Sequence, residues 1–248
     1  MIRAIAGREL RGLFLSPLAW SLLAVALIIH AWLFLVQIEN FMQIQPKLLA
    51  GSSELGVTDL IVAPLFDSSA MILLLLTPLL TMRLLSEEYR SGTIRLLLSS
   101  PVTTSQVVLG KYLAALAVYA LLLLLIALMP LSLLMGGSLD LGRLAAACLG
   151  LALLLAGYCA IGLFLSSLTE QPAVAAVGSY GLLLLLWVVS LSGSVDRSGL
   201  FQWLSLTGHY RPFLNGVVRS GDLIYFLLLI LAALLMTIHR LEGRRGGG

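Results

Sequence analysis

The chain has 248 residues, of which 60% are hydrophobic and 11% are charged, and its net charge is +3. A soluble domain carries about 25% charged residues, so these charges are too few to cover a soluble protein of this size. Lipid must therefore act as the solvent for much of the surface. The arginines lie at the ends of apolar runs and form no basic patch with interleaved aromatic residues, which argues against nucleic-acid binding.

Six apolar stretches approach the roughly 20 residues that an α-helix needs to cross a bilayer. They predict an all-α integral membrane protein in which residues 1–248 form a single transmembrane domain. The predicted spans cover residues 17–37, 60–85, 107–135, 143–168, 172–191 and 222–239.

Residues 1–16 precede the first span and are short, basic and amphipathic. Such a segment is typical of a helix that lies in the membrane interface before the chain turns inward, here at Pro17. A charged start followed by an apolar run is also typical of a signal peptide. The run is too long for that interpretation, however, and no small-residue cleavage site follows it. We therefore expect the first span to be retained.

The lysines and arginines are distributed unevenly between alternate connecting segments. If the N-terminus is cytoplasmic, the cytoplasmic segments hold ten of the 15 and the external segments hold five. Because cytoplasmic loops carry an excess of these residues, the distribution favours both termini in the cytoplasm.

Two external segments differ in character. Residues 38–59 are polar and contain Pro46, Gly51 and Gly56, which predicts a loop. Residues 192–221 are rich in aromatic side chains and predict a re-entrant or interfacial segment rather than a free loop.

The predicted spans are almost free of charge, and Asp67, near one end of the second span, is the exception. Ion-coupled carriers usually place ionisable groups near the middle of the membrane. The uncharged spans therefore argue against a secondary transporter and favour energy supplied from outside the membrane. The histidines and cysteines lack metal-ligand spacing, so no metal site is expected.

The cytoplasmic segment 86–106 is the most informative part of the chain. Gly92 is predicted to end the helical extension of the second span. Thr93 can cap a short helix over residues 94–99, which Pro101 ends. A simple connection between two spans needs only a handful of residues. The segment is therefore either a docking element for a cytosolic partner or an ordinary interfacial helix, and composition alone leaves both open.

A family resemblance favours the docking element. Three stretches resemble the signature of type-2 ABC exporter permeases, in particular that of the gliding-motility and copper-enzyme-maturation group. These stretches are Glu87–Thr93, Leu96–Pro101 and Val108–Lys111. Weaker matches extend the resemblance over nearly the whole chain. The N-terminal elbow of the family is similar to Arg8–Arg11 with Ser16 and Pro17. The turn after the fourth span is similar to Gly162–Glu170, and the last span with its basic tail is similar to residues 223–245.

The resemblance implies a permease with six spans, an elbow helix and a cytoplasmic coupling helix between spans two and three. It also implies that ATP and Mg²⁺ bind a separate ATP-binding subunit, with two permease copies, as a homodimer, and two ATPase chains per complex. The chain agrees in lacking the G-x-x-x-x-G-K-[ST] phosphate-binding loop. No cofactor and no enzymatic activity are expected in this chain.

By the same resemblance, charge pairs in the coupling segment transmit nucleotide-driven closure to the second span. The implied coupling residues are Glu87, Glu88, Tyr89, Arg90, Gly92, Thr93, Arg95 and Pro101. The implied elbow residues are Arg8, Glu9 and Arg11. A Thr103–Gln106 capping box is predicted to begin the helix that leads into span three.

The resemblance places the protein in the bacterial cytoplasmic membrane, with the lipid bilayer around it and a periplasmic or membrane auxiliary protein as a further candidate partner. A membrane scaffold or assembly factor that transports nothing is the main alternative. A secondary transporter is a second one, which the uncharged spans disfavour. The sequence identifies no substrate-binding residue.

Overall fold

The computed structural model describes residues 2–50, 56–93, 102–135, 139–192 and 205–246. Every regular element within these ranges is helical, as the predicted all-α class requires. The α-helices in chain order are α1 (Ile2–Leu15), α2 (Pro17–Ala50), α3 (Ala63–Thr81), α4 (Arg83–Ser91), α5 (Thr104–Leu131), α6 (Leu141–Leu168), α7 (Pro172–Ser192), α8 (Leu206–Leu214) and α9 (Ser220–Gly246). A π-helical turn, Thr58–Val62, precedes α3, and a 3-10 turn, Ser132–Met135, follows α5.

Six helical stretches in the described ranges are long and apolar enough to cross a membrane, as the hydropathy pattern predicts. They are Pro17–Pro46, Thr58–Ser91, Thr104–Leu134, Leu141–Leu168, Pro172–Ser190 and Ser220–Arg244. Large apolar side chains remain exposed along α2, α7 and α9, among them Trp32, Val177 and Leu227. Such surfaces are stable only against lipid or another apolar partner.

The predicted loop over residues 38–59 is wrong in its first part, because α2 continues as a helix to Ala50. Phe34, Ile38 and Phe41 follow the spacing of one helix face and pack in an apolar cluster with the π-helical turn and α3. This tertiary packing outweighs the polar composition on which the loop prediction rested.

The core is built around α6, which packs against α3, α5, α7, α8 and α9. Glycine permits the closest approach in this core. A β-carbon built on Gly162 of α6 would collide with Oγ1 of Thr81 in α3. The α3 and α6 backbones can therefore meet at this point only because position 162 has no side chain.

The predicted re-entrant or interfacial segment is described from residue 205 onward, and there it forms the short helix α8. Ser205 caps this helix by accepting a hydrogen bond from the Gly208 amide. Tyr210 and Phe213 are fully buried, and the Tyr210 hydroxyl donates to the Phe66 carbonyl at 2.9 Å. Burial raises the pKa of Tyr210 well above its ordinary value, so this donor stays protonated. The described part of the segment is thus a packed helix and not a free loop.

Candidate functional site

A buried ion-pair cluster joins three helices, one of which is the N-terminal helix α1. Lys111 of α5 is only 2% exposed. Its ammonium nitrogen lies 3.1 Å from Oε2 of Glu9 in α1 and 2.9 Å from Oε1 of Glu88 in α4. We call these three residues the Lys111 cluster.

The cluster depends on all of its members. A buried charge is tolerated only when it is paired and hydrogen-bonded, so removing one partner leaves an uncompensated ion. The second oxygen of Glu88, Oε2, is buried and has no hydrogen-bond partner within the described residues. Glu88 therefore relies on Lys111 for its stabilisation, and this ion pair ties α4 to α5.

A second set of contacts holds α4 from the side of α6. The helix is interrupted at Met82, between α3 and α4. The hydroxyl oxygen of Ser166 accepts hydrogen bonds from the amides of Leu85 and Ser86 at 3.1 and 3.0 Å, and it donates to the Met82 carbonyl at 2.9 Å. One side chain of α6 thus satisfies the backbone groups of the interruption and positions the start of α4.

The C-terminal part of α9 closes over the same region. The guanidinium of Arg244 lies 4.4 Å from the ring centroid of Tyr89, a cation–π contact, and 3.8 Å from a carboxylate oxygen of Glu170. The Thr104 hydroxyl at the start of α5 donates to Glu242 at 3.0 Å. Helices α1, α4, α5 and α9 therefore meet at one end of the bundle.

The opposite face of α4 is open. Arg83, Glu87 and Arg90 are exposed and lie three or four residues apart, so they share one helix face. They line an open groove of about 570 Å³ against Gln171 and Pro172 at the start of α7. Within the described residues Glu87 and Arg90 form no ion pair, so their charges are available to a partner. We call this the α4 groove.

The predicted helix end at Gly92 and the predicted cap at Thr103 are confirmed, whereas the cap predicted for Thr93 belongs to a helix outside the described residues. Gly92 ends α4 in the left-handed conformation, with φ of 73°. Thr93 Oγ1 donates to the Glu88 carbonyl at 3.4 Å. Thr103 caps α5 by accepting from the Gln106 amide. The predicted helix over residues 94–99, together with Arg95 and Pro101, lies outside the described residues.

The predicted elbow residues divide between the two faces of α1. Glu9 points into the Lys111 cluster, whereas Arg8 and Arg11 are exposed and line a shallow surface on the other side. Arg8 also approaches Glu9 at 3.2 Å. The helix predicted for this segment is present, and only Glu9 among its three predicted residues contacts α5.

Sequence reasoning did not identify Lys111 as a site residue. It counted Lys111 only among the positive charges on the cytoplasmic side and within the Val108–Lys111 motif. The sequence around Lys111 does indicate burial. The lysine lies inside the apolar part of α5, between Val107 and Val108 on one side and Tyr112 on the other. A lysine in that position needs an acidic partner, and the acidic candidates were in the elbow and coupling segments.

Comparison with known proteins identifies the family. A sequence model described as ABC-2 family transporter protein matches residues 3–242, nearly the whole chain. No curated protein matches the chain.

Proposed function

The chain belongs to the ABC-2 family of transporter proteins, and from this membership we propose that it is the membrane subunit of an ATP-driven exporter. It is a multi-pass permease component of an ABC transporter, and this family normally pairs with an ATP-binding subunit. In our proposal that subunit binds ATP and Mg²⁺, and its hydrolysis cycle drives the movement of the permease helices.

The two-faced environment of α4 is the observation that carries this proposal. Its inner face is held by Lys111 and Ser166, and its outer face presents Glu87 and Arg90 in the α4 groove, where they form no ion pair within the described residues. A partner that binds the groove would push on a helix that is fastened to α1, α5 and α6. Motion at the groove would therefore be passed into the membrane helices and not absorbed by a free loop.

We assign the predicted coupling residues to two roles. Glu87 and Arg90 would pair with charges of the ATP-binding subunit, while Glu88 and Tyr89 would transmit the motion to α5 and α9. Arg95 and Pro101 stay in the proposed docking segment that follows Gly92 and Thr93. Arg8 and Arg11 on α1 would face lipid head groups, as expected for an elbow helix in the membrane interface.

The assembly we propose has two permease copies, as a homodimer, and two ATPase chains in the bacterial cytoplasmic membrane, with both chain termini of the permease in the cytoplasm. The lysine and arginine distribution supports this orientation. This orientation places the α4 groove on the cytoplasmic side of the membrane, where ATP is available. The resemblance of Glu87–Thr93 and Leu96–Pro101 to the gliding-motility and copper-enzyme-maturation group supports that subgroup, and an auxiliary protein is a further proposed partner.

The test measures two quantities in the complex reconstituted with its ATP-binding subunit: the affinity of that subunit for the permease and the ATPase rate. The double variant Glu87→Ala/Arg90→Ala should weaken binding of that subunit by about tenfold or more, because both charges are at a desolvated interface. The matched control is Glu39→Ala/Arg219→Ala, which removes one exposed acid and one exposed arginine outside the groove.

The control should leave binding and ATPase stimulation unchanged. Normal binding and stimulation in Glu87→Ala/Arg90→Ala would show that the groove is not the docking site. A complex that binds the ATPase but shows no ATP-dependent change in the membrane helices would favour the non-transporting scaffold.

A further inference from the structure

A cleft lined by both polar and apolar side chains lies at the end of α3 that is farther from α4. It has a volume of about 390 Å³ and is enclosed by α3, α6, α7 and α8. Asp67 in its wall and Arg83 at the start of α4 are separated by 16 residues, which is about 24 Å along a helix. This cleft, which we call the α8 cleft, is therefore a separate site from the α4 groove.

The α8 cleft contains two opposite charges that do not neutralise each other. Asp67 of α3 and Arg211 of α8 both line it and both are exposed. Within the described residues neither side chain forms an ion pair or a hydrogen bond. Both charges are thus available to one molecule that carries a positive and a negative group.

A tyrosine hydroxyl in the cleft wall is also available for a hydrogen bond. Tyr158 of α6 is 3% exposed and lines the cleft, but its hydroxyl makes no hydrogen bond within the described part of the chain. The neighbouring Tyr210 differs, since its hydroxyl donates to the Phe66 carbonyl. The Tyr158 hydroxyl therefore provides a hydrogen-bond donor that a bound molecule can use.

The side chains around the cleft define the chemistry that fits it. A carboxylate and an indole, from Asp67 and Trp187, are the groups that bind an ammonium ion in proteins. A guanidinium such as that of Arg211 binds a phosphate or carboxylate in a two-pronged contact. A volume of this size lies within the range of small-molecule sites, about 300–1,000 Å³.

We propose that the α8 cleft binds a small zwitterion, with its ammonium group at Asp67 and its phosphate at Arg211. Tyr158 donates a hydrogen bond to the same molecule. The exposed side chain of Met71 at the cleft provides apolar surface on which an acyl chain can lie. The zwitterion therefore has two possible sources, a lipid head group and a free solute of the same chemistry. The site does not depend on the docking of an ATPase at the α4 groove.

The test uses the intact purified protein and two probes that separate the sources. Free phosphoethanolamine is added to the protein in detergent, and phosphatidylethanolamine is titrated into nanodiscs of phosphatidylglycerol that hold the protein. Binding is followed by tryptophan fluorescence, and the variant Trp187→Phe identifies the part of the signal that arises in the cleft. We expect saturable binding of at least one probe. Binding of phosphatidylethanolamine alone identifies a lipid head group, and binding of the free probe identifies a solute.

Variants of the charged residues decide whether the cleft is the site. Asp67→Asn and Arg211→Gln should each weaken binding by about tenfold or more, and Arg211→Lys should recover part of the loss. The matched controls Glu39→Gln and Arg219→Gln should bind as the unaltered protein does. Absence of saturable binding with both probes, or binding that survives Asp67→Asn and Arg211→Gln, would overturn the proposal. Circular dichroism shows that each variant keeps its helices before its affinity is compared.

Discussion

The ammonium nitrogen of Lys111 lies 2.9 Å from a carboxylate oxygen of Glu88, and this contact joins α5 to the one helix that carries the α4 groove. Glu9 of α1 is a second acid that forms an ion pair with Lys111. The same lysine thus neutralises two acids that come from parts of the chain about 80 residues apart, and it fixes the end of the bundle at which α1, α4 and α5 meet.

Removal of the Lys111 charge should destabilise the protein strongly. Lys111→Met leaves Glu88 without a counter-ion and Glu9 with only the exposed Arg8, and the loss of one partner of a buried pair costs about 3–5 kcal/mol. The measurement is thermal unfolding of the purified protein, followed by circular dichroism. The triple variant Glu9→Gln/Glu88→Gln/Lys111→Met removes all three charges and should recover most of the melting temperature. If Lys111→Met melts like the unaltered protein, the cluster does not hold these helices together.

Replacement of Ser166 by alanine should loosen α4 without changing its sequence. Ser166→Ala leaves the amides of Leu85 and Ser86 without their acceptor, and we expect a loss of about 1–3 kcal/mol of unfolding free energy. Hydrogen exchange at these two amides should rise at the same time. The adjacent Ser167 is an internal control, because it is equally buried but, among the described residues, its hydroxyl bonds only to the Phe164 carbonyl of its own helix.

Ser167→Ala should therefore change the stability by less than about 0.5 kcal/mol and leave exchange in α4 unaltered. Equal effects of the two serine substitutions would show that Ser166 has no special role at the Met82 interruption.

A methyl group at position 162 should separate α3 from α6. Gly162→Ala places a β-carbon against Thr81, and overpacking of this kind costs about 1–3 kcal/mol. Thr81→Ala in the same chain should recover part of the loss, because it removes the nearest atom. Gly181→Ala in α7 is the matched control, since nothing lies within 4 Å of its added methyl group. We expect the control to be neutral or slightly stabilising, and a neutral Gly162→Ala would contradict the close contact of the two helices.

Short-range features were predictable from the sequence because a few consecutive residues decide them. The apolar runs predicted six spans, and six helices of sufficient length and hydropathy are present in the described residues. Gly92 was predicted to end α4 and Thr103 to cap α5, and both predictions are confirmed. A cap acts within one or two turns and a hydrophobic run acts along a single helix, so distant parts of the chain are not needed.

Long-range features were decided only by the tertiary structure. The neighbours Glu87 and Glu88 have the same chemistry and were assigned the same role, yet packing turns Glu88 toward Lys111 and leaves Glu87 in the open groove. The extension of α2 to Ala50 depends on contacts between Phe41 and residues that follow it in the chain. Helix propensity and hydropathy describe each segment alone, whereas an ion pair or an apolar contact requires two segments to meet. The sequence by itself therefore determined the class, the number of spans and the caps at Gly92 and Thr103, and the assembled bundle decided where α2 ends, which charges are internal and which are open to a partner.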